Sequence, residues 1–157
     1  MANNNLNIMK WLYKNGIPWG TYTFYRAAEH GDLNTMKWLY KNGAPWKKLT
    51  FCHAAKNSDI ENMKWLYKNG CRWDKLTFGY AAEHGDIENM IWLYENGCPW
   101  SDDTFRYAAK HGDIENMLWL YGKKCPWGMA TTISCLRRDR TIKKYVIHWM
   151  HAHGCPE

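Results

Sequence analysis

Trp19, Trp46, Trp73, Trp100 and Trp127 recur every 27 residues, and Trp11, Trp38, Trp65, Trp92 and Trp119 keep the same step. A period held this strictly constrains the fold more than any other feature of the chain. A unit of this size cannot bury its own apolar face, so copies must stack and bury it between neighbours.

Each copy reads as two short helices. In the fourth, Phe105, Ala108 and Ala109 share a face at i, i+3 and i+4, and Thr104 is expected to cap that helix. Gly112 ends it and Asp113 caps the next, in which Ile114, Met117 and Tyr121 form an apolar stripe widened by Trp119 and Leu120. Asn42-Gly43, Asn69-Gly70 and Asn96-Gly97 stop the second helix in the earlier copies. Nothing alternates like a strand, and the L-x-x-L-x-L pattern of leucine-rich repeats is missing. The expectation is therefore an all-α helix-turn-helix solenoid with 27-residue repeats, forming a single repeat domain over 1–157. It divides into an N-terminal half repeat 1–17, repeats 18–44, 45–71, 72–98 and 99–125, and a divergent C-terminal capping repeat 126–157.

Thr-Phe-x-x-Ala-Ala-x-x-Gly-Asp resembles the first helix and turn of the ankyrin repeats. The run Asp59 to Cys71 is similar to their second helix, with Trp65 where a buried leucine is usual and Cys71 where alanine is usual. The short period, the Trp after Cys-Pro and the Trp-Leu-Tyr run resemble the divergent ankyrin repeats abundant in giant DNA viruses of amoebae. The likeness covers residues 5–127 well and the last 30 poorly. An ankyrin unit has about 33 residues, and the shortfall here lies between Gly-Cys and Thr-Phe. The resemblance thus implies an ankyrin-like solenoid with reduced or absent β-hairpins, whose recognition relies on the exposed face of the first helix. It also implies a viral protein acting inside a host cell, in the host cytoplasm.

The ends depart from the pattern. The array opens on a second helix alone, Asn5 to Asn15, and the step from Cys125 to Cys155 is 30 residues. Arg137, Arg138 and Arg140 replace small and capping residues, as expected of a cap with a polar outer face. The net charge of +6 is concentrated there: residues 1–121 carry 14 basic and 13 acidic side chains, whereas Lys123, Lys124, Arg137, Arg138, Arg140, Lys143 and Lys144 face only Asp139 and Glu157 beyond. No apolar run nears the roughly 20 residues of a membrane span, and no signal-peptide core is visible, so no membrane partner is expected and the chain reads as intracellular. Cys71, Cys98 and Cys125 occupy equivalent positions, expected one interhelical distance of roughly 8–10 Å apart. A disulfide needs about 7 Å, so reduced, buried thiols are expected.

The periodicity itself disfavours catalysis, since almost every His, Asp and Glu recurs whereas a catalytic constellation is asymmetric. G-x-x-x-x-G-K-[ST], H-E-x-x-H and G-x-S-x-G are all missing. No catalytic residue, cofactor or metal is expected. His30, His84 and His111 form a ladder broken by Asn57, better suited to helix ends than to one metal ion.

Positions that differ between copies are free to encode recognition. The two after Thr-Phe vary most (Tyr25-Arg26, Cys52-His53, Gly79-Tyr80, Arg106-Tyr107), and the preceding turns vary too. The candidate partner-binding residues are Tyr22, Tyr25, Arg26, Lys48, His53, Lys75, Tyr80, Asp102, Arg106 and Tyr107. Lys10, Lys14, Lys37, Lys41, Lys64 and Lys68 repeat at i, i+4 on three second helices, and the same positions become Ile91 with Glu95 and Leu118 with Gly122. Ile91 and Leu118 are candidates for a second, apolar patch. The leading expectation is a non-catalytic module for protein–protein interaction. The alternatives are a nucleic-acid binder using the basic C-terminal cap and the lysine ladder, and a structural protein self-associating through its N-terminal half repeat.

Overall fold

The computed structural model describes residues 2–20, 22–127 and 144–154. Expectations resting on Arg137, Arg138, Arg140, Lys143 or Cys155 lie outside the described residues. Within them the chain is all-helical, with no strand: α1 Ala2–Lys14, α2 Thr23–Glu29, α3 Leu33–Lys41, α4 Lys48–Lys56, α5 Ile60–Lys68, α6 Lys75–His84, α7 Ile87–Glu95, α8 Asp102–His111, α9 Ile114–Gly122 and α10 Lys144–Ala152. Two compact units result, Met1–Trp73 and Asp74–Glu157. In the first, α2 packs on α3 and α4, α4 on α5, and α1 on α3. In the second, α6 packs on α7 and α8, and α8 on α9. Helix pairs thus follow one another in series in each unit, first helix beside first helix.

The first helices of the later repeats start earlier than the sequence suggests. Ser101, not Thr104, is the N-cap of α8, and Thr104 sits a turn inside, buried, with its Oγ1 accepting from the Ser101 amide at 3.1 Å. Thr77 and Thr50 accept from the Asp74 and Lys47 amides in the same way, at 3.4 Å each. The threonine serves the cap from within because its short hydroxyl reaches back one turn to an otherwise unsatisfied donor. The second helices begin as expected. Asp32, Asp59, Asp86 and Asp113 each cap one, accepting from the amides of Thr35, Asn62, Asn89 and Glu115 at 2.9–3.1 Å.

They end on a side-chain device as well. Asn15, Asn42, Asn69 and Asn96 donate through Nδ2 to the carbonyls of Trp11, Trp38, Trp65 and Trp92, four residues back, at 2.7–2.8 Å. The glycine that follows takes a left-handed conformation in each (Gly16, Gly43, Gly70, Gly97), while Lys124 holds the equivalent place with φ 58°.

Phe24 and Phe51 form the spine of the core in the first unit, with the Ala-Ala pairs beside them and the pairs Met36/Leu39 and Met63/Leu66, and in the second unit Phe78 and Phe105 do so with Met90/Leu93 and Met117/Leu120. Each buried Phe, Met or Leu contributes about 1.5–3 kcal/mol. The apolar stripe of α9 differs from expectation: Asn116, Met117 and Leu120 are buried, whereas Tyr121 is exposed. That tyrosine, like Tyr40, Tyr67 and Tyr94, lies against the tryptophan of the following loop. Tyr40 and Trp46 stack with centroids 4.9 Å apart, Tyr67 and Trp73 at 4.6 Å. The same tryptophans meet the spine, Phe24 with Trp46 at 5.3 Å and Phe105 with Trp127 at 4.7 Å. The indoles are packing elements, and Trp149 joins them through Phe105 and Tyr121.

Candidate functional site

The variable residues of the first helices do not stand apart as a row of independent side chains. Within each unit the residue after Thr-Phe in one repeat faces the next position along in the following repeat. In the first unit the Tyr25 ring stacks on His53, centroids 4.4 Å apart and 19° from parallel. In the second, Gly79 leaves room for the Tyr107 ring, because a Cβ on Gly79 would lie 2.8 Å from Tyr107 Cδ2. Tyr80 stacks beside Tyr107 at 6.3 Å. Part of the variation between copies is therefore steric complementarity, large residue against small or ring against ring.

Around the Tyr25–His53 stack the first unit gathers a polar aromatic cluster. Tyr22 meets Tyr25 edge-on at 5.3 Å, and the Arg26 guanidinium lies over the Tyr25 ring at 5.4 Å. Arg26 Nη1 donates to Glu29 Oε2 at 2.8 Å, and the other carboxylate oxygen, Oε1, lies 3.5 Å from His53 Nδ1. Burial holds the His53 pKa below the ordinary 6.5, with Lys56 and Arg26 adding to the depression and Glu29 opposing it. At neutral pH the ring is therefore neutral and can stack without desolvating a charge.

The second unit repeats the theme with other residues. Arg106 lies over the Tyr107 ring at 4.8 Å and donates to Asp103 Oδ1 through Nε at 3.1 Å and Nη2 at 2.9 Å. Lys110 donates to Glu83 at 2.9 Å across two first helices.

Of the ten candidates, Tyr22 is 63% exposed, Arg26 is exposed, and Tyr25, His53, Tyr80, Arg106 and Tyr107 are half-buried. Lys48, Lys75 and Asp102 are exposed at the first positions of α4, α6 and α8, at the N-terminal ends of their helices. In the second patch Leu118 is 47% exposed, but Ile91 is half-buried. Lys10, Lys14, Lys37, Lys41, Lys64 and Lys68 are all exposed.

Sequence reading missed Glu29, Glu83, Asp103 and Lys110. A signal was available, since one position of the first helix runs Glu29, Lys56, Glu83, Lys110, alternating in sign at each repeat. The histidine ladder also acquires a local role. His111 covers the C-terminal glycine of the preceding first helix, where a Cβ on Gly85 would lie 2.4 Å from Nε2. Asn57 covers Gly31 in the same manner, at 2.7 Å from Nδ2.

Cys52, Cys71, Cys98 and Cys125 are buried thiols outside any disulfide. Burial pushes Cys71 and Cys125 up to about 12. Their Sγ atoms lie 3.9 Å from the carbonyls of Lys47 and Ser101, the residues that cap the preceding first helix.

Together these features define a class, an all-helical protein of serially packed 27-residue helix pairs with an aromatic and charged face on its first helices. No family model matches the sequence, and no curated protein matches it. Among the described residues no helix is long and apolar enough to cross a membrane.

Proposed function

We propose that this chain is a non-catalytic protein-interaction module, an ankyrin-type solenoid of short repeats whose first-helix face binds a protein partner. It would act as a viral protein inside the host cell. One observation carries the reading: Tyr22, Tyr25 and Arg26 are fixed against His53 and Glu29 before any partner arrives, yet Tyr22 and Arg26 remain exposed. Tyrosine and arginine held in one conformation lose little entropy on binding, which suits them as hot-spot residues. The steady alternation of charge along the same helices adds specificity more than affinity.

The test is capture of partners from amoebal lysate by the chain and by its Tyr22→Ala, Arg26→Ala, Arg106→Ala triple variant. These side chains are chosen because their removal leaves the spine intact. Nuclease-resistant capture of a protein by the parent alone supports the reading, and equal capture by both overturns the choice of face. The exposed lysine ladder favours a second reading, nucleic-acid binding. That reading predicts capture lost to nuclease and a steep fall of affinity with salt.

A further inference from the structure

The near balance of charge over residues 1–121 conceals a split between the two units. Residues 1–73 hold 11 lysines and arginines against four acids, a net of +7, while residues 74–157 hold 10 against 11, a net of −1. The four acids of the first unit lie where a first helix turns into a second, and all are engaged there. Glu29 meets Arg26 and His53, Asp32 and Asp59 cap α3 and α5, and Glu61 holds Lys64. The opposite edge, where a second helix ends and the next first helix begins, carries Lys14, Lys41, Lys47, Lys48, Lys68 and Arg72 and no acid of this unit. All six are exposed, and among the described residues none is in an ion pair. Lys47, Lys48 and Arg72 line one cavity of about 430 Å³ with Trp46, Gly70 and Cys71.

The fold does not require these cations. A lysine that ends a helix favours its dipole, which accounts for Lys14, Lys41 and Lys68 one by one, yet Glu95 ends α7 at the same place. Lys47 is the N-cap of α4, at the positive end of a dipole, and its ammonium has no lone pair to accept an amide. Asp74, in the same place one repeat later, accepts from the Leu76 amide at 3.0 Å. Arg72 stands where the other copies have Pro18, Pro45, Pro99 and Pro126. Gathering like charges costs self-repulsion, which a ligand of opposite charge relieves.

We infer that this edge binds an extended acidic segment of a polypeptide, an assignment that rests on the protein-partner reading above. Helix pairs follow one another at roughly 10 Å, about the length of three extended residues. Carboxylates three residues apart therefore meet Lys14, Lys41 and Lys68 in turn, and one enters the cavity between Lys47 and Arg72. A nucleic-acid duplex sets a charge at about every 1.7 Å of its axis, far denser than this row. Tyr13, Tyr40 and Tyr67, the rings beside the lysines, already stack on Trp19, Trp46 and Trp73 at 4.6–5.2 Å. Charge, rather than the stacking of bases, is thus what the edge offers a ligand.

The full chain is titrated into a fluorescein-labelled peptide of four Glu-Asp-Ser repeats, and separately into a labelled DNA duplex of matching length, at physiological salt. Anisotropy should show saturable binding of the peptide, tighter than that of the duplex. The Lys47→Asp, Lys68→Glu, Arg72→Pro variant should lose at least about tenfold in affinity for the peptide. Each change installs the residue that the next repeat already carries, so the melting temperature should hold. Lys68→Glu alone, on an exposed side chain, should weaken binding in the same direction. A comparable removal of charge from the second unit, by Lys123→Glu and Lys144→Glu, should change affinity by less than about twofold, since salt screens distant charges. Absence of saturable binding, an equal loss in this charge control, or tighter binding of the duplex each overturns the proposal, the last in favour of nucleic acid. The Tyr22→Ala, Arg26→Ala, Arg106→Ala variant should still hold the peptide, so failure of the first-helix face would leave this edge standing. Loss of the peptide in that variant would place it on the face and overturn the edge.

Discussion

The Tyr107 ring occupies the space that a side chain on Gly79 would need, with ring atoms 2.8 and 2.9 Å from the place of its Cβ. Gly79 lies inside α6, where glycine costs about 1 kcal/mol relative to alanine. The helix carries that cost because the neighbouring helix projects a tyrosine at the same height. Gly79→Ala is therefore expected to destabilise the protein by about 1–3 kcal/mol, the penalty of overpacking exceeding the gain in helix propensity. In a Tyr107→Ala background the same change should be neutral or stabilising. Urea unfolding of the four proteins of this double-mutant cycle would measure the coupling, and additivity would disprove it.

Two residues hold left-handed backbone where the other repeats have glycine. Ser58 has φ 55° where Gly31, Gly85 and Gly112 have 67–82°, and Lys124 has φ 58° where Gly43, Gly70 and Gly97 have 75–81°. Left-handed φ costs an L-residue roughly 1–2 kcal/mol, partly offset by the greater unfolded-state entropy of glycine. Ser58→Gly and Lys124→Gly should each stabilise by about 0.5–1 kcal/mol, additively. A melting temperature unchanged or lowered in both variants would show that other contacts govern these turns.

The buried thiols set an alkaline limit. Cys71 and Cys125 have pKa values raised from 9.0 to about 12, so the folded protein holds their protons where the unfolded chain releases them. A raised folded-state pKa gives stability that is complete below pH 9 and declines as pH climbs toward 12. Unfolding midpoints should therefore fall above pH 9, and Cys71→Ala, Cys125→Ala should flatten that slope. Below pH 9 Cys71 and Cys125 should react slowly with thiol reagents in the folded protein, because burial keeps them as thiols.

His53 sets a limit at the other end. Burial lowers its folded-state pKa below 6.5, so its contribution is complete above that value and is lost as pH falls through the depressed one. The Tyr25 stack should loosen over the same interval. An NMR titration of the His53 ring should give a midpoint below 6.5, and His53→Gln should remove this share of the acid sensitivity. A midpoint at or above 6.5 would mean that Glu29 outweighs burial.

Much of the architecture was legible because it repeats. The caps at Asp32, Asp59, Asp86 and Asp113, the Asn-Gly stops, and the buried Phe and Ala-Ala follow from short-range spacing, which the sequence displays directly. The start of the first helices was misread because Thr104 looks like an N-cap, while its hydroxyl serves the amide of Ser101 from inside the helix. Tyr121 was assigned to the core from its place on the apolar stripe. The loop tryptophan beside it gives its ring a surface to lie on without full burial. The candidate site was legible as a set of variable positions but not as a set of pairs. Pairing Tyr25 with His53, or Gly79 with Tyr107, requires the offset between adjacent first helices, which no single repeat contains.

Among the described residues α3, α5, α7 and α9 are each opened by their own aspartate, and α1, α3, α5 and α7 are each closed by an asparagine that reaches only four residues back. The fastenings are thus local to the copy that carries them. Recombination that joins equivalent points of two copies would leave every fastening whole, so the encoded array can lengthen or shorten by multiples of 27 residues without dismantling a helix end. An insertion of one or two residues between Trp38 and Asn42, or at the same place in another copy, enjoys no such tolerance, because it parts the asparagine from its carbonyl. Where such a gene can gain single residues is therefore limited by the hydrogen bonds of its product.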